Sequence, residues 1–133
     1  MKELLIDAEV QNLDTVLDFI SGELEAGNYA IKLQSQIAIA VEEIFVNIAH
    51  YAYQPTFGKV LLRLAAGDEI VIEFLDQGIP YNPLEQPEPD ISMPASERAI
   101  GGLGILMVKK IMDEVLYRHE DGQNILTIHK RVG

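Results

Sequence analysis

Apolar positions recur at helical spacing in two long segments near the start of the chain. In "NLDTVLDFISGELEAGN" residues Leu13, Val16, Leu17, Ile20 and Leu24 share one face, which predicts an amphipathic helix. Asn12 or Asp14 is placed to cap its start, and Gly27-Asn28 punctuates its end. From about Lys32 to Tyr53, Leu33, Ile37, Val41, Ile44 and Ile48 follow one another at steps of four, four, three and four. This is the strongest helical pattern in the chain. Other stretches alternate with period two. "KELLIDA" reads as a first strand, and "KVLLRLAAGDEIVIEFLDQG" as a hairpin turning at Gly67-Asp68. A second hairpin, "EVLYRHEDGQNILTIHKRV", turns at Asp121-Gly122. Between the hairpins, periodicity is lost from Gln77 to Arg98, where five of the six prolines lie, and "GGLGILMVKKIMDEV" then opens a short helix. The order is strand, helix, helix, two strands, long loop, helix, two strands. It predicts an α+β two-layer sandwich with the helices on one face of a mostly antiparallel sheet.

The chain has 133 residues, so one domain spanning 1–133 accounts for it. It has no cysteine, which excludes disulfides, thiolate metal sites and a cysteine nucleophile. Lys and Arg number 10 against 21 Asp and Glu, a net charge of -11. Such a chain repels phosphate backbones and anionic membranes, so no nucleic-acid or membrane partner is expected and a basic protein partner suits it better. "MKELLIDAEV" does not read as a secretory leader, and no apolar run is long enough for a transmembrane helix; a cytoplasmic location is expected.

Three places carry candidate chemistry. On the second helix, Gln36, Glu43, Asn47 and His50 form a line roughly 100° from the centre of the apolar stripe. Glu43 and Asn47, at i and i+4, are neighbours there. A carboxylate can take a proton and an amide oxygen can ligate Mg²⁺; a solvated helix edge is the competing interpretation. Glu42 points elsewhere. In "FLDQGIP", Asp76 continues the apolar side of Ile70, Ile72 and Phe74; if that side faces the helices, it is a carboxylate at the margin of a core and needs a partner. Gly78 allows a close approach to the backbone; a plain turn is the alternative. Finally, "GGLG" at Gly101 to Gly104 opens a helix whose free N–H groups suit a phosphate, or it is only a hinge. No dinucleotide fingerprint, P-loop, zinc spacing or G-x-S-x-G elbow occurs.

Taken in order, "EEIFVN", "DQGIP" and "GGLGILMVKKIMDEV" resemble the asparagine box and the two glycine boxes of the GHKL, or Bergerat-type, ATP-binding fold. The resemblance covers the chain from about Asn12 onward. Within that superfamily, "GIPYNP" and the C-terminal third are similar to the small bacterial anti-sigma-factor serine/threonine kinases. The resemblance implies a histidine-kinase-like ATPase domain with ATP and Mg²⁺ as cofactors and an ATP lid at about 81–99. Asn47 would ligate Mg²⁺, Glu43 would be general base, Asp76 would accept from the adenine amino group, and Gly78 would let the base approach. Gly102 and Gly104 would wrap the phosphates, with Gly101, Leu103, His50, Pro80 and Arg98 as further nucleotide-binding positions. It implies a kinase that regulates transcription by binding a sigma factor or a STAS-like anti-anti-sigma protein, phosphorylating the latter, and that is commonly a homodimer. Two alternatives are a non-catalytic ATP-sensing binding module and a histidine-kinase-like ATPase module of a phosphorelay.

Overall fold

The computed structural model describes residues 1–53, 58–85 and 102–132. Strand β1 (Lys2–Asp7) leads through a 3-10 turn (Val10–Asn12) into helices α1 (Leu13–Ala26) and α2 (Ile31–Tyr51). Strands β2 (Lys59–Ala66) and β3 (Glu69–Asp76) follow, then a 3-10 turn (Pro83–Glu85), helix α3 (Gly102–Ile111) and strands β4 (Glu114–Glu120) and β5 (Gln123–Arg131). The element order and the α+β class match the expectation. The sheet, ordered β1-β2-β3-β5-β4, is antiparallel at every pairing, more uniform than the "mostly" the pattern predicted.

Period-two alternation decides which side of the sheet is buried. Val60, Leu62 and Leu64 of β2 face the helices with Ile70, Ile72 and Phe74 of β3 and Leu126 and Ile128 of β5. Against them pack Val16, Ile20 and Leu24 of α1, the Ile37, Val41 and Ile44 stripe of α2 with Phe45, and Val108 of α3. Strand register then sets up the site. Leu62, Phe74, Leu126 and Tyr117 form one cross-strand row on the inner face, and Val60, Asp76, Asn124 and His119 form the next. The inner face is apolar until this last row, where Asp76 and Asn124 stand opposite each other.

The local signals were read correctly in kind and imperfectly in detail. Asn12 takes the N-cap position of α1, but its amide donates to the Asp7 carbonyl at 3.0 Å and caps nothing. Asn28, not Gly27, adopts the left-handed conformation that ends α1, with φ 58°. Helix α2 stops at Tyr51, two residues short of the expected Tyr53, with Ala52 as its C-cap. The β4–β5 turn has left-handed φ at both Asp121 and Gly122, the geometry that matches strand twist in a two-residue hairpin. Among the described residues, no helix is long and apolar enough to cross a membrane.

Candidate functional site

A cleft partly open to solvent lies between the C-terminal half of α2 and the polar end of the sheet. Ile44, Ile48, Ala52 and Leu126 supply apolar walls, and Tyr51, Tyr81 and Tyr117 line it as well. Besides these tyrosines, the polar side chains lining it among the described residues are Asn47, Asp76 and Asn124. An apolar cleft with a small number of placed polar atoms is what a small-molecule site requires.

Asp76 is 5% exposed. Its Oδ1 accepts from the Gly78 N–H and from Asn124 Nδ2, both at 2.9 Å. Burial raises its pKa above the ordinary aspartate value, and these two hydrogen bonds and the His119 imidazole pull against that rise. Gly78 is needed here for a specific reason. A Cβ at this position would overlap the Ala52 carbonyl group, coming within 2.6 Å of its carbon. The close approach predicted at Gly78 is therefore filled by the end of α2 itself, sealed by Ile79 N–H donating to Ala52 O at 3.0 Å.

Asn47 is 6% exposed, and its Oδ1 has no hydrogen-bond partner among the described residues. A buried, unpaired amide oxygen is costly unless something else fills its lone pairs. It is a hard donor, and it lines the same cleft as Asp76. Among the described residues, no three His, Asp or Glu side chains converge on one point. Mg²⁺ takes few protein ligands and favours hard oxygens, so Asn47 Oδ1 would suit that ion without such a cluster.

Glu43 lies one turn before Asn47 on the same edge of α2 and is half-buried, whereas Glu42 is exposed, as the helical wheel predicts. Glu43 does not line the cleft; it lies against the first turn of α3. A Cβ on Gly104 would overlap Glu43 Oε2 and come within 2.7 Å of Cδ, so only glycine leaves room for the carboxylate. Burial, and next the charge of Glu42, raise the Glu43 pKa above its usual value. A carboxylate shifted this way is a stronger base at neutral pH.

The structure thus gathers Asn47 and Asp76 in one cleft and Glu43 and Gly104 in direct apposition beside it. Gly102 and Leu103 complete the first turn of α3, where N–H groups are free of intrahelical partners. His50 is half-buried and Pro80 exposed, and neither lines the cleft. Arg98, Gly101 and the lid from residue 86 onward lie outside the described residues. Tyr117 and Asn124 were missed, and Asn124 carried a usable signal. It precedes Leu126 and Ile128 on one face of β5 just as Asp76 follows Ile72 and Phe74 on β3. Tyr51 and Tyr81 stack at 5.5 Å and 16° across the cleft, a contact between residues 30 apart in sequence that no local pattern announces.

These features bring a helix edge, a sheet end and a glycine-opened helix together around one small-molecule-sized cleft. Residues 6–130 match the histidine kinase-like ATPase domain family, and the chain belongs to that family. Among characterised proteins it is similar to the serine-protein kinase RsbW of Bacillus mycoides (strain KBAB4). That match is 22% identical over 129 residues, covering 93% of this chain and 81% of the relative. The serine-protein kinase RsbW of Bacillus cereus (strain AH187) is 24% identical with the same coverage. The crystal structure of the RsbU and RsbW domains of Rv1364c from Mycobacterium tuberculosis shares the fold, with a TM-score of 0.64 at 18% identity over 99% of this chain. The chain spans about a third of that protein (33%).

Proposed function

We propose that this protein is an ATP- and Mg²⁺-dependent serine/threonine protein kinase acting as an anti-sigma regulatory factor, with a STAS-like anti-anti-sigma protein as phosphoacceptor and a sigma factor as the alternative partner. The observation that carries this reading is the buried Asn47 Oδ1, without a partner among the described residues, in one cleft with Asp76 and one helical turn from a half-buried Glu43.

In this reading Asp76 accepts a hydrogen bond from the exocyclic amine of adenine, within the apolar walls of Ile44, Ile48 and Leu126. Asn47 Oδ1 would hold Mg²⁺, which would neutralise phosphate charge when bound. The first-turn N–H groups of α3 donate to the phosphates. Glu43 accepts the proton of a substrate serine or threonine hydroxyl as that oxygen bonds to the γ-phosphorus. The bond from phosphorus to the β–γ bridging oxygen breaks, and ADP leaves. Positioning and charge neutralisation dominate such transfers, and a base adds about 10²–10⁴-fold. A slow kinase of this kind suits a switch, and a homodimer is the assembly this reading favours.

The test is ³²P transfer from ATP to a STAS-like protein encoded beside the kinase. Wild type is expected to label serine or threonine, Glu43→Ala to lose most of that rate, and Asp76→Asn to lose ATP binding. Equal labelling by wild type and Glu43→Ala would remove the base from the mechanism. ATP binding without any phosphoprotein would replace the kinase with a nucleotide-sensing binding module. An acid-labile phosphohistidine on the partner would point to a phosphorelay.

A further inference from the structure

Asn124 sits behind Asp76, in the wall of the cleft, and is 5% exposed. Its amide makes four hydrogen bonds that together fix its orientation. Nδ2 donates to Asp76 Oδ1 at 2.9 Å and to the Ile79 carbonyl at 2.8 Å. Oδ1 accepts from the Tyr81 N–H at 3.2 Å and from the Tyr117 hydroxyl. Rotating the amide by half a turn would set its oxygen against a carboxylate and a carbonyl, and its NH₂ against a backbone N–H. The amide therefore cannot flip, and it always presents a donor to Asp76.

This has a chemical consequence for the carboxylate. With Gly78 N–H also donating, Oδ1 receives two hydrogen bonds, while Oδ2 is bonded to none of the described residues. We propose that Asn124 is a positioning residue that holds Asp76 as an acceptor-only carboxylate with Oδ2 left to the ligand, and so sets the preference for a purine bearing an amine at C6 over one bearing a carbonyl. Ionised, Asp76 can only accept, which matches an amine. Protonated, it would gain an O–H donor, which matches a carbonyl. Burial drives Asp76 toward protonation, and the Asn124 hydrogen bond is the largest influence opposing it. The other titratable groups around it are His119 on β4, Tyr53 beyond the end of α2, and the cleft tyrosines 51, 81 and 117. The inference rests on the ATP reading for its ligand and not for its effect on Asp76.

Two measurements separate these layers, both on the full chain. The first follows the Asp76 carboxyl by ¹³C NMR against pH without nucleotide, in wild type and Asn124→Leu, repeated in a His119→Gln background to remove that neighbouring imidazole. The midpoint is expected to rise by about one unit or more in Asn124→Leu, equivalent to a tenfold change in the protonation equilibrium. The second is calorimetry with Mg·ATP and Mg·ITP. Asn124→Leu is expected to lose up to about tenfold in ATP affinity at a pH below both Asp76 midpoints, to approach wild type as pH rises above them, and to narrow the ATP-over-ITP preference over the same range. Should Asn124→Leu fail to fold, Tyr117→Phe, which removes one of the two donors holding Asn124 Oδ1, is expected to move both readouts in the same direction by less. An Asp76 midpoint unchanged in the variants overturns the positioning role. A shifted midpoint with an unchanged ATP-to-ITP ratio overturns the selectivity. Wild type that binds neither nucleotide overturns the ATP reading, while the titration still decides whether Asn124 positions the carboxylate.

Discussion

Gly104→Ala tests the apposition of α3 and Glu43 most directly, because it separates folding from chemistry. The new methyl would lie 2.7 Å from Glu43 Cδ and 3.2 Å from Cγ, and would overlap Oε2. To restore 3.4 Å of ordinary contact the carboxyl carbon must withdraw by about 0.7 Å, and the oxygen by more. The obstacle is the far end of a flexible side chain, so Glu43 gives way and the helices do not. Holding it off its preferred rotamer costs about 0.5–1.5 kcal/mol. Alanine in place of glycine within a helix returns about 0.5–1 kcal/mol. The two nearly cancel, so Tm should stay within about 4 °C of wild type. Chemistry is less forgiving, since misplacing a reacting group by about 1 Å costs on the order of 10²-fold. The assay is single-turnover ³²P transfer, with Tm and Mg·ATP affinity measured on the same protein. Gly104→Ala is expected to lose about 10²-fold in rate with affinity nearly kept. Adding Glu43→Ala should then cost little more, because both changes remove one function. Transfer close to wild type, or full multiplication of the two losses, would refute the reasoning. A parallel collapse of ATP affinity would show that Gly104 acts through the phosphates instead.

Gly78→Ala presses a methyl into the Ala52 backbone, which cannot retreat, and strains the Ile79–Ala52 hydrogen bond. Overpacking and a lost hydrogen bond together predict a destabilisation of about 2–4 kcal/mol, read from urea unfolding. Asn47→Leu removes a buried acceptor that has no partner among the described residues, so stability should hold or rise by about 1 kcal/mol, while the Mg²⁺ dependence of ATP affinity disappears in calorimetry. The raised pKa of Glu43 places the acid limb of the transfer rate above the ordinary glutamate range, because the base is lost as pH falls through its folded value. Glu42→Gln removes the second cause of that rise and should move the limb to lower pH. For Asp76 the linkage to stability runs in the same direction. A carboxyl raised by folding binds more protons when native, so its ionisation costs stability as pH rises. Asp76→Asn should therefore unfold no more easily than wild type at neutral pH, even as ATP binding is lost.

The class of fold was legible because its cause is local. Period-two and period-3.6 patterns state which face of each element avoids water, and an ordering of such elements leaves few ways to stack them. The same reasoning singles out Glu43, Asn47 and Asp76 as candidates, since each is a polar group placed where an apolar stripe meets its edge. Gly104 was found as part of an anion-ready helix start, not as the partner of Glu43. That apposition depends on how α3 packs across α2, 61 residues away in sequence, and no spacing encodes it. The burial of Asn47 Oδ1 without a partner, the Tyr51–Tyr81 stack and the Asn124 clamp on Asp76 are likewise products of register and packing. The sequence by itself determined which residues could do chemistry, because residue type and periodicity are properties of the chain. The tertiary structure decided which of them meet, which lone pairs are left unfilled, and which carboxylates are raised toward neutrality, because desolvation and hydrogen bonding exist only once the layers close.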